Sequence, residues 1–463
     1  MTSTLNAASG AEAPRRPQSH RRSVAATVVG NFVESFDWLA FGLFAPLFAA
    51  QFFPSSNPVT SLLGAFTVLG IGVLVRPLGG ILLGRLADRR GRKPALMLSI
   101  ALMGAGSLLI AVSPTHQQIG WFAPVLLLVA RMAQGISAGG EWPSATAYLM
   151  EMAPAKRRCL YGSLFSLTTV GGAFTASLLG GVLTGVLGKD GMTSWGWRVP
   201  FLIGGVLGIL LLLARNQLAE TEVFQREART HASRGSLRLL LTRYRRNVVV
   251  SMMFAAGLGC VAGSWTTVVP AMGQRLAGPE TMFWVIVSVT GTGILLQVPL
   301  GLLADRVGAA RFLSVAAVGM ATVGVWAYLS MDATVTGLVL AYGTGATYLV
   351  CASIVLPKLL SEIYPARIRA LGMGLPYALT SAVLGGIAPV AATQADANGA
   401  SEWFIGGVAI AVLLALPAAV AVRRLDRELG GKAVPPVPAA SVPPANPLVA
   451  APSAPREDAR LGG

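Results

Sequence analysis

Five ionisable side chains stand where ionisable side chains are costly. Glu34, Asp37, Arg76, Arg131 and Glu141 each lie inside an apolar run of membrane-spanning length. A charge near the centre of such a span costs about 2.5–3.5 kcal/mol on insertion scales, so it calls for a function and a partner. Asn31, Glu34 and Asp37 follow i, i+3, i+6 spacing, which predicts one polar helix face. Glu34 is the eleventh residue of the first run and Arg131 the tenth of the fourth. Glu34 or Asp37 facing Arg131 would offset the cost of both charges. A carboxylate held out of water can exchange a proton in place, and a nearby arginine sets how readily it does so. Glu34 and Asp37 are therefore candidate proton carriers, and Glu141 a candidate exit relay. Arg131 is placed to attract an anionic substrate or to reset the acid, and Asn31, on the face of the two acids, is a candidate substrate-binding residue. His20, His116 and His231 all fall outside the spans, which excludes a buried histidine relay. Cys159, Cys260 and Cys351 have no metal or disulfide spacing. No nucleophile–base set or metal set is apparent, so the chain reads as a non-enzyme with no cofactor beyond a proton gradient.

Twelve apolar runs carry these residues: 24–48, 60–84, 95–113, 122–148, 161–187, 198–214, 247–271, 281–303, 312–331, 334–357, 371–394 and 402–422. Each approaches the roughly 20 residues a spanning helix needs. The composition agrees, with 54% hydrophobic residues and 12% charged and a mean hydropathy of +0.63. That charged share is about half the norm for a soluble domain, and it excludes disorder, a secreted disulfide scaffold and an ordinary soluble enzyme. The first run is too long for a signal peptide and carries two acids.

The net charge of +16 would, in a soluble chain, point to nucleic acid. Here 31 of the 36 Lys and Arg fall on the tails and on alternate loops, if both termini are cytoplasmic. Lys189, Arg198 and Arg275 fall on the other side. This is the positive-inside pattern, and the charge reads as orientation rather than as a nucleic-acid surface. The predicted organisation is a disordered basic N-tail (1–23), a six-helix bundle (24–214), a cytoplasmic connector loop (215–246), a second six-helix bundle (247–422) and a disordered Pro/Ala-rich tail (423–463).

The halves repeat. Leu86-Ala87-Asp88-Arg89 recurs as Leu303-Ala304-Asp305-Arg306, and Glu151 to Arg158 recurs as Glu362 to Arg369. The first motif follows spans two and eight, the second spans four and ten, so a duplicated six-helix unit explains both. The expected fold is an all-α membrane protein of twelve transmembrane helices in two pseudo-symmetric bundles. The motifs set Asp88, Arg89, Arg92, Glu151 and Arg158 in one half, and Asp305, Arg306, Glu362 and Arg369 in the other, at helix ends on the basic side. Such pairs can hold that side closed in one state and part in another, as gates. The second half has no buried charge at the depth of Arg131. Tyr342, reached by the repeat offset, and Tyr377 are its candidate substrate residues, with Trp265, Gln297 and Tyr348.

The stretch Gly84-Arg-Leu-Ala-Asp88-Arg89-Arg-Gly91-Arg92-Lys93-Pro resembles the cytoplasmic loop signature of the major facilitator superfamily. Gly30-Asn31-Phe-Val-Glu34-Ser-Phe-Asp37, Arg76-Pro77-Leu-Gly79-Gly80 and Arg131-Met-Ala-Gln134-Gly135 through Glu141-Trp142 are similar to the metabolite:proton symporter family within it. The resemblance covers about residues 24–425. Phe52-Phe53-Pro54-Ser55 and Arg369 through Tyr377 resemble the 2-oxoglutarate permease type. The chain departs from these patterns at Ser35, where the family usually has Trp, and at Ala50, where that type has His. The resemblance implies a monomer in the cell membrane whose partners are a proton, a small-molecule substrate and the lipid bilayer. It implies proton symport of a di- or tricarboxylate such as 2-oxoglutarate. Symport of a zwitterionic osmolyte such as proline or betaine, and export by proton antiport, are the alternatives. A fluorescent reporter inserted in the connector is expected to fold on the cytoplasmic side, and a tag beside Lys189 to be reached from outside the cell. The opposite labelling would invert the topology.

Overall fold

The structure is a computed structural model that describes residues 20–90, 92–139, 146, 149–150, 153–216, 237–365 and 368–428. Among the described residues the chain is helical, with no strand. Ten helices are long and apolar enough to cross a membrane, and two apolar helices are shorter. In chain order they are α1 (Gly30–Phe52), α2 (Pro58–Leu83), α3 (Met97–Val112), α4 (Phe122–Ala138), α5 (Ala155–Ser194), α6 (Gly196–Leu213), α7 (Arg245–Ala277), α8 (Pro279–Val307), α9 (Ala309–Leu329), α10 (Val335–Glu362), α11 (Leu371–Ala397) and α12 (Ser401–Val422). The short pair are α3 and α4. Helical backbone precedes α3 from Arg92, where the charged first turn shortens the apolar part. Most of the later part of the run 122–148 lies outside the described residues.

Three boundaries differ from the sequence reading. The first helix begins at His20 and the last runs to Glu428, so residues 20–23 and 423–428, expected in the disordered tails, are helical. The connector ends in a helix, Leu237–Arg243, anchored by the fully buried Leu240. Seven residues are too few for hydrophobic periodicity to stand out. Residues 1–19, 217–236 and 429–463 lie outside the described residues. The predicted end of span five is marked instead by Gly188, whose φ of 67° kinks α5 while the helix continues to Ser194.

The two halves meet along α5 and α8, α2 and α11, and α1 and α7, and α5 also meets α10. Near the end opposite the basic loops, the rings of Phe44 and Phe283 stand 5.1 Å apart. Gln274 Nε2 there donates to the Leu43 carbonyl at 2.8 Å. Pro46 lies inside α1 and has no N–H, so the helix ladder loses its bond to the Gly42 carbonyl, one residue before Leu43. Within the first half, α2 and α4 touch backbone to backbone. Gly135 faces the carbonyl of Gly72, and Gly139 that of Arg76. This small-xxx-small contact brings the two arginine-bearing helices side by side. Gly135→Leu is expected to drive a side chain into the α2 backbone and lower the thermal midpoint of the detergent-purified protein by 10 °C or more. Gly406→Leu, at a position with open space around it, is expected to leave that midpoint unchanged.

Candidate functional site

One buried network in the first half holds the acid and the arginine. Arg131 Nη1 donates to Gln134 Oε1 at 2.7 Å. Gln134 Nε2 donates to Asp37 Oδ2 at 2.5 Å and reaches Ser107 Oγ at 3.0 Å. Ser107 also donates to Asp37 Oδ1. Arg131 Nη1 lies 3.6 Å from Asp37 Oδ2. Arg131 and Gln134 are 0% exposed and Asp37 is 1%. Arg131 and Gln134 are three residues apart, so one face of α4 presents both. Asp37 comes from α1 and Ser107 from α3. Gly106 makes room on α3, since a Cβ there would stand 2.7 Å from Gln134 Cγ.

Two features make Arg131 more than a counter-ion. Its Nε and Nη2, the edge that grips a carboxylate bidentately, make no hydrogen bond. Its guanidinium stacks on Phe41, 3.9 Å from the ring centroid, and lies 5.1 Å from that of Trp38. The same Trp38 ring carries Arg76, at 4.1 Å. These aromatic faces offset part of the cost of burying a cation. Arg76 is thus held inside on an aromatic face.

The polar stripe of α1 splits. Asn31 donates to Thr168 and, at 3.3 Å, to Thr169, both on α5, while Asp37 turns to α3 and α4. Six residues of helix rotate a side chain by about 120° net, so i and i+6 cannot share a narrow face. Glu34 lines a small cleft with Ser99, Ser137 and Gly208. Asp37, not Glu34, is the acid the structure pairs with Arg131. Glu34 and Arg76 both lie near enough to Tyr377 to act on it electrostatically, which sets that α11 residue against the first half. Tyr342 is buried in α10. It follows Ala341, whose carbonyl accepts the Trp265 indole N–H at 2.7 Å. Gln297 joins the halves through Ser166, at 3.3 Å. Glu141 and Glu151 lie outside the described residues. Asp88, Arg89 and Arg92 lie on described helical backbone.

The second-half motif makes a definite contact. Asp305 accepts from the backbone N–H groups of Cys159 and Leu160, both at 3.0 Å, capping across the interface the first α-helical turn of α5, which begins at Arg158 after a short 3-10 turn. Lys358 Nζ lies 3.8 Å from the same carboxylate. Arg158 and Arg369 are buried at this end, and Glu362 acts electrostatically on Cys159. Arg306 is exposed at the end of α8. Gln134, Ser107, Trp38 and Lys358 were not singled out by sequence reasoning. Gln134 was detectable by its spacing from Arg131, whereas Ser107 had no local signal. Among the described residues no group of three or more His, Cys, Asp or Glu is placed to hold a metal ion.

The family model described as Major Facilitator Superfamily matches residues 27–389. This chain belongs to that superfamily. It is 35% identical over 394 residues to an alpha-ketoglutarate permease of Escherichia coli (strain K12), covering 83% of this chain and 90% of the relative. It is 33% identical over 371 residues to a citrate-proton symporter of Klebsiella pneumoniae, covering 79% of this chain and 83% of the relative. The fold is similar to that of a D-xylose-proton symporter, with a TM-score of 0.65 at 18% identity, covering 89% of this chain and 98% of that one. The chain is therefore a multi-pass membrane protein of a transporter superfamily, with the all-α fold the sequence predicted.

The Asp305 cap gives a direct test of gating. With Cys260 and Cys351 replaced by Ala, Asp305→Ala is expected to raise maleimide labelling of the buried Cys159 at least fivefold. An unchanged labelling rate would make the cap a purely structural contact.

Proposed function

We propose that this protein is a proton-coupled symporter that imports a small organic acid, a di- or tricarboxylate such as 2-oxoglutarate, by alternating access. In this reading the basic end faces the cytoplasm, the protein works as a monomer in the plasma membrane, and the proton gradient takes the place of a cofactor. The two six-helix bundles rock about the α5–α8, α2–α11 and α1–α7 contacts, joined by the connector.

The observation that carries the reading is the buried Asp37–Arg131 pair with the Nε/Nη2 edge of the arginine left open. An ionised Asp37 competes with a substrate carboxylate for the guanidinium. A protonated Asp37 releases it, so proton and anion travel together. Opening of the bundle brings that edge into contact with substrate. Tyr377 and Tyr342 then face the substrate from the second half, and the Asp305 cap forms and breaks as the basic end closes and opens. The names of the 2-oxoglutarate and citrate relatives support an organic acid. A zwitterionic osmolyte also offers a carboxylate, but its cationic end gains nothing from Arg131 and Arg76.

Uptake in reconstituted vesicles with an imposed pH gradient tests this. The wild type is expected to concentrate 2-oxoglutarate or citrate, and Asp37→Asn to lose at least tenfold of that uphill accumulation. Accumulation indifferent to the gradient, or full uphill uptake by Asp37→Asn, would overturn symport through this site. Uptake of proline or betaine alone would replace the substrate class.

A further inference from the structure

We infer that Gln134 is the coupling relay of this site: an oriented amide that senses the proton on Asp37 at one end and holds or releases Arg131 at the other. The inference rests on the proposed proton coupling through Asp37.

The geometry fixes which way the amide points. An ionised carboxylate only accepts and a guanidinium only donates. Gln134 meets both by aiming Nε2 at Asp37 Oδ2 and Oε1 at Arg131 Nη1, at 2.5 and 2.7 Å. The side chain is fully buried, so no water substitutes for either partner. Ser107 occupies the other Asp37 oxygen and has a second acceptor, the Met103 carbonyl, at 3.1 Å. Ser107 can therefore turn its hydrogen away without leaving a donor stranded. Gln134 Nε2 keeps Ser107 Oγ, at 3.0 Å, as a second acceptor, but Gln134 cannot present an acceptor to Asp37 without turning its whole amide over.

When a proton from water binds Asp37 Oδ2, that oxygen becomes a donor. The Nε2 of Gln134 then faces a donor, which is costly in a buried site. Turning the amide over restores the bond, because Oε1 now accepts from Asp37. The same turn brings Nε2 against Arg131 Nη1, donor against donor, while the charge that attracted Arg131 is gone. Arg131 lets go and offers its whole guanidinium. Loss of the proton reverses each step. One proton enters and leaves at Asp37 and no other covalent bond changes, so protonation of one group controls the anion affinity of another through a single amide that turns over.

Two variants separate the ends of the relay. Gln134→Met keeps the length and removes both hydrogen-bonding ends. Gln134→Glu keeps an acceptor for Arg131 and removes the donor to Asp37. Each would be reconstituted beside the wild type. Two quantities would be read: the ratio of gradient-driven accumulation to counterflow exchange, with 2-oxoglutarate and citrate as probes, and the pH profile of exchange. The expected result is a ratio at least tenfold lower in Gln134→Met and a second step in the pH profile of Gln134→Glu. A wild-type ratio in Gln134→Met with an unaltered pH profile overturns the relay. If Gln134→Met does not yield monodisperse protein, Gln134→Glu decides alone, and a wild-type profile and ratio there overturn it. Loss of accumulation in Asp37→Asn with none in Gln134→Met rejects the relay and leaves the proposed symport standing. Full accumulation in Asp37→Asn rejects the symport reading itself.

Discussion

A carboxylate and a guanidinium share an interior from which water is excluded, and much of the first half of this protein is arranged to make that tolerable. Removing one member of such a buried pair costs about 3–5 kcal/mol, because the other is left without compensation. Asp37 therefore needs Ser107 and Gln134, Gln134 needs the space that Gly106 leaves, and Arg131 needs the faces of Phe41 and Trp38. Four helices, α1 to α4, are committed to one pair of charges and its neighbours. The pair is held from several sides, and one edge of Arg131, its Nε and Nη2, makes no hydrogen bond.

The close approach of helices serves the same end. Glycines at 72, 135 and 139 let α2 and α4 meet through their backbones. This places Arg76 and Arg131 about one Trp38 ring, which each approaches, where bulkier residues would hold the helices apart. The second half uses its polar groups differently. It supplies Asp305 as a cap on α5 and Gln297 as a bridge to Ser166, and it carries π-helical turns in α7, α9 and α11. The buried acid–arginine pair sits in one bundle, and the other supplies polar contacts that bridge the two.

Much of the architecture was legible in the residues. Runs of apolar side chains are a strong signal because lipid forbids the alternatives, since an unpaired backbone has no water to turn to. The repeat was legible because its two motifs fall at matching positions. The charged residues of the site were legible for the same reason, since an acid inside a span is conspicuous. Which acid pairs with Arg131 was not. Glu34 and Asp37 are one turn apart, and their choice of neighbour is set by how α1 is rotated against α3 and α4. Ser107 and Trp38 were invisible for another reason: a neutral polar or aromatic residue in a membrane helix is common, and only three-dimensional proximity gives it a role. The helix at Leu237–Arg243 was hidden by its shortness.

The contacts that hold the halves together at the two ends are of different electrical kinds. At one end a neutral amide on α7 meets a backbone carbonyl of α1. At the other, a carboxylate and a lysine meet the first turn of α5. Ionic strength and the field across the membrane act on charges and leave a neutral hydrogen bond nearly untouched. The halves are therefore joined by one contact that feels voltage and salt, and by another that is indifferent to both. The electrolyte at one end alone can weigh on how the halves are held together.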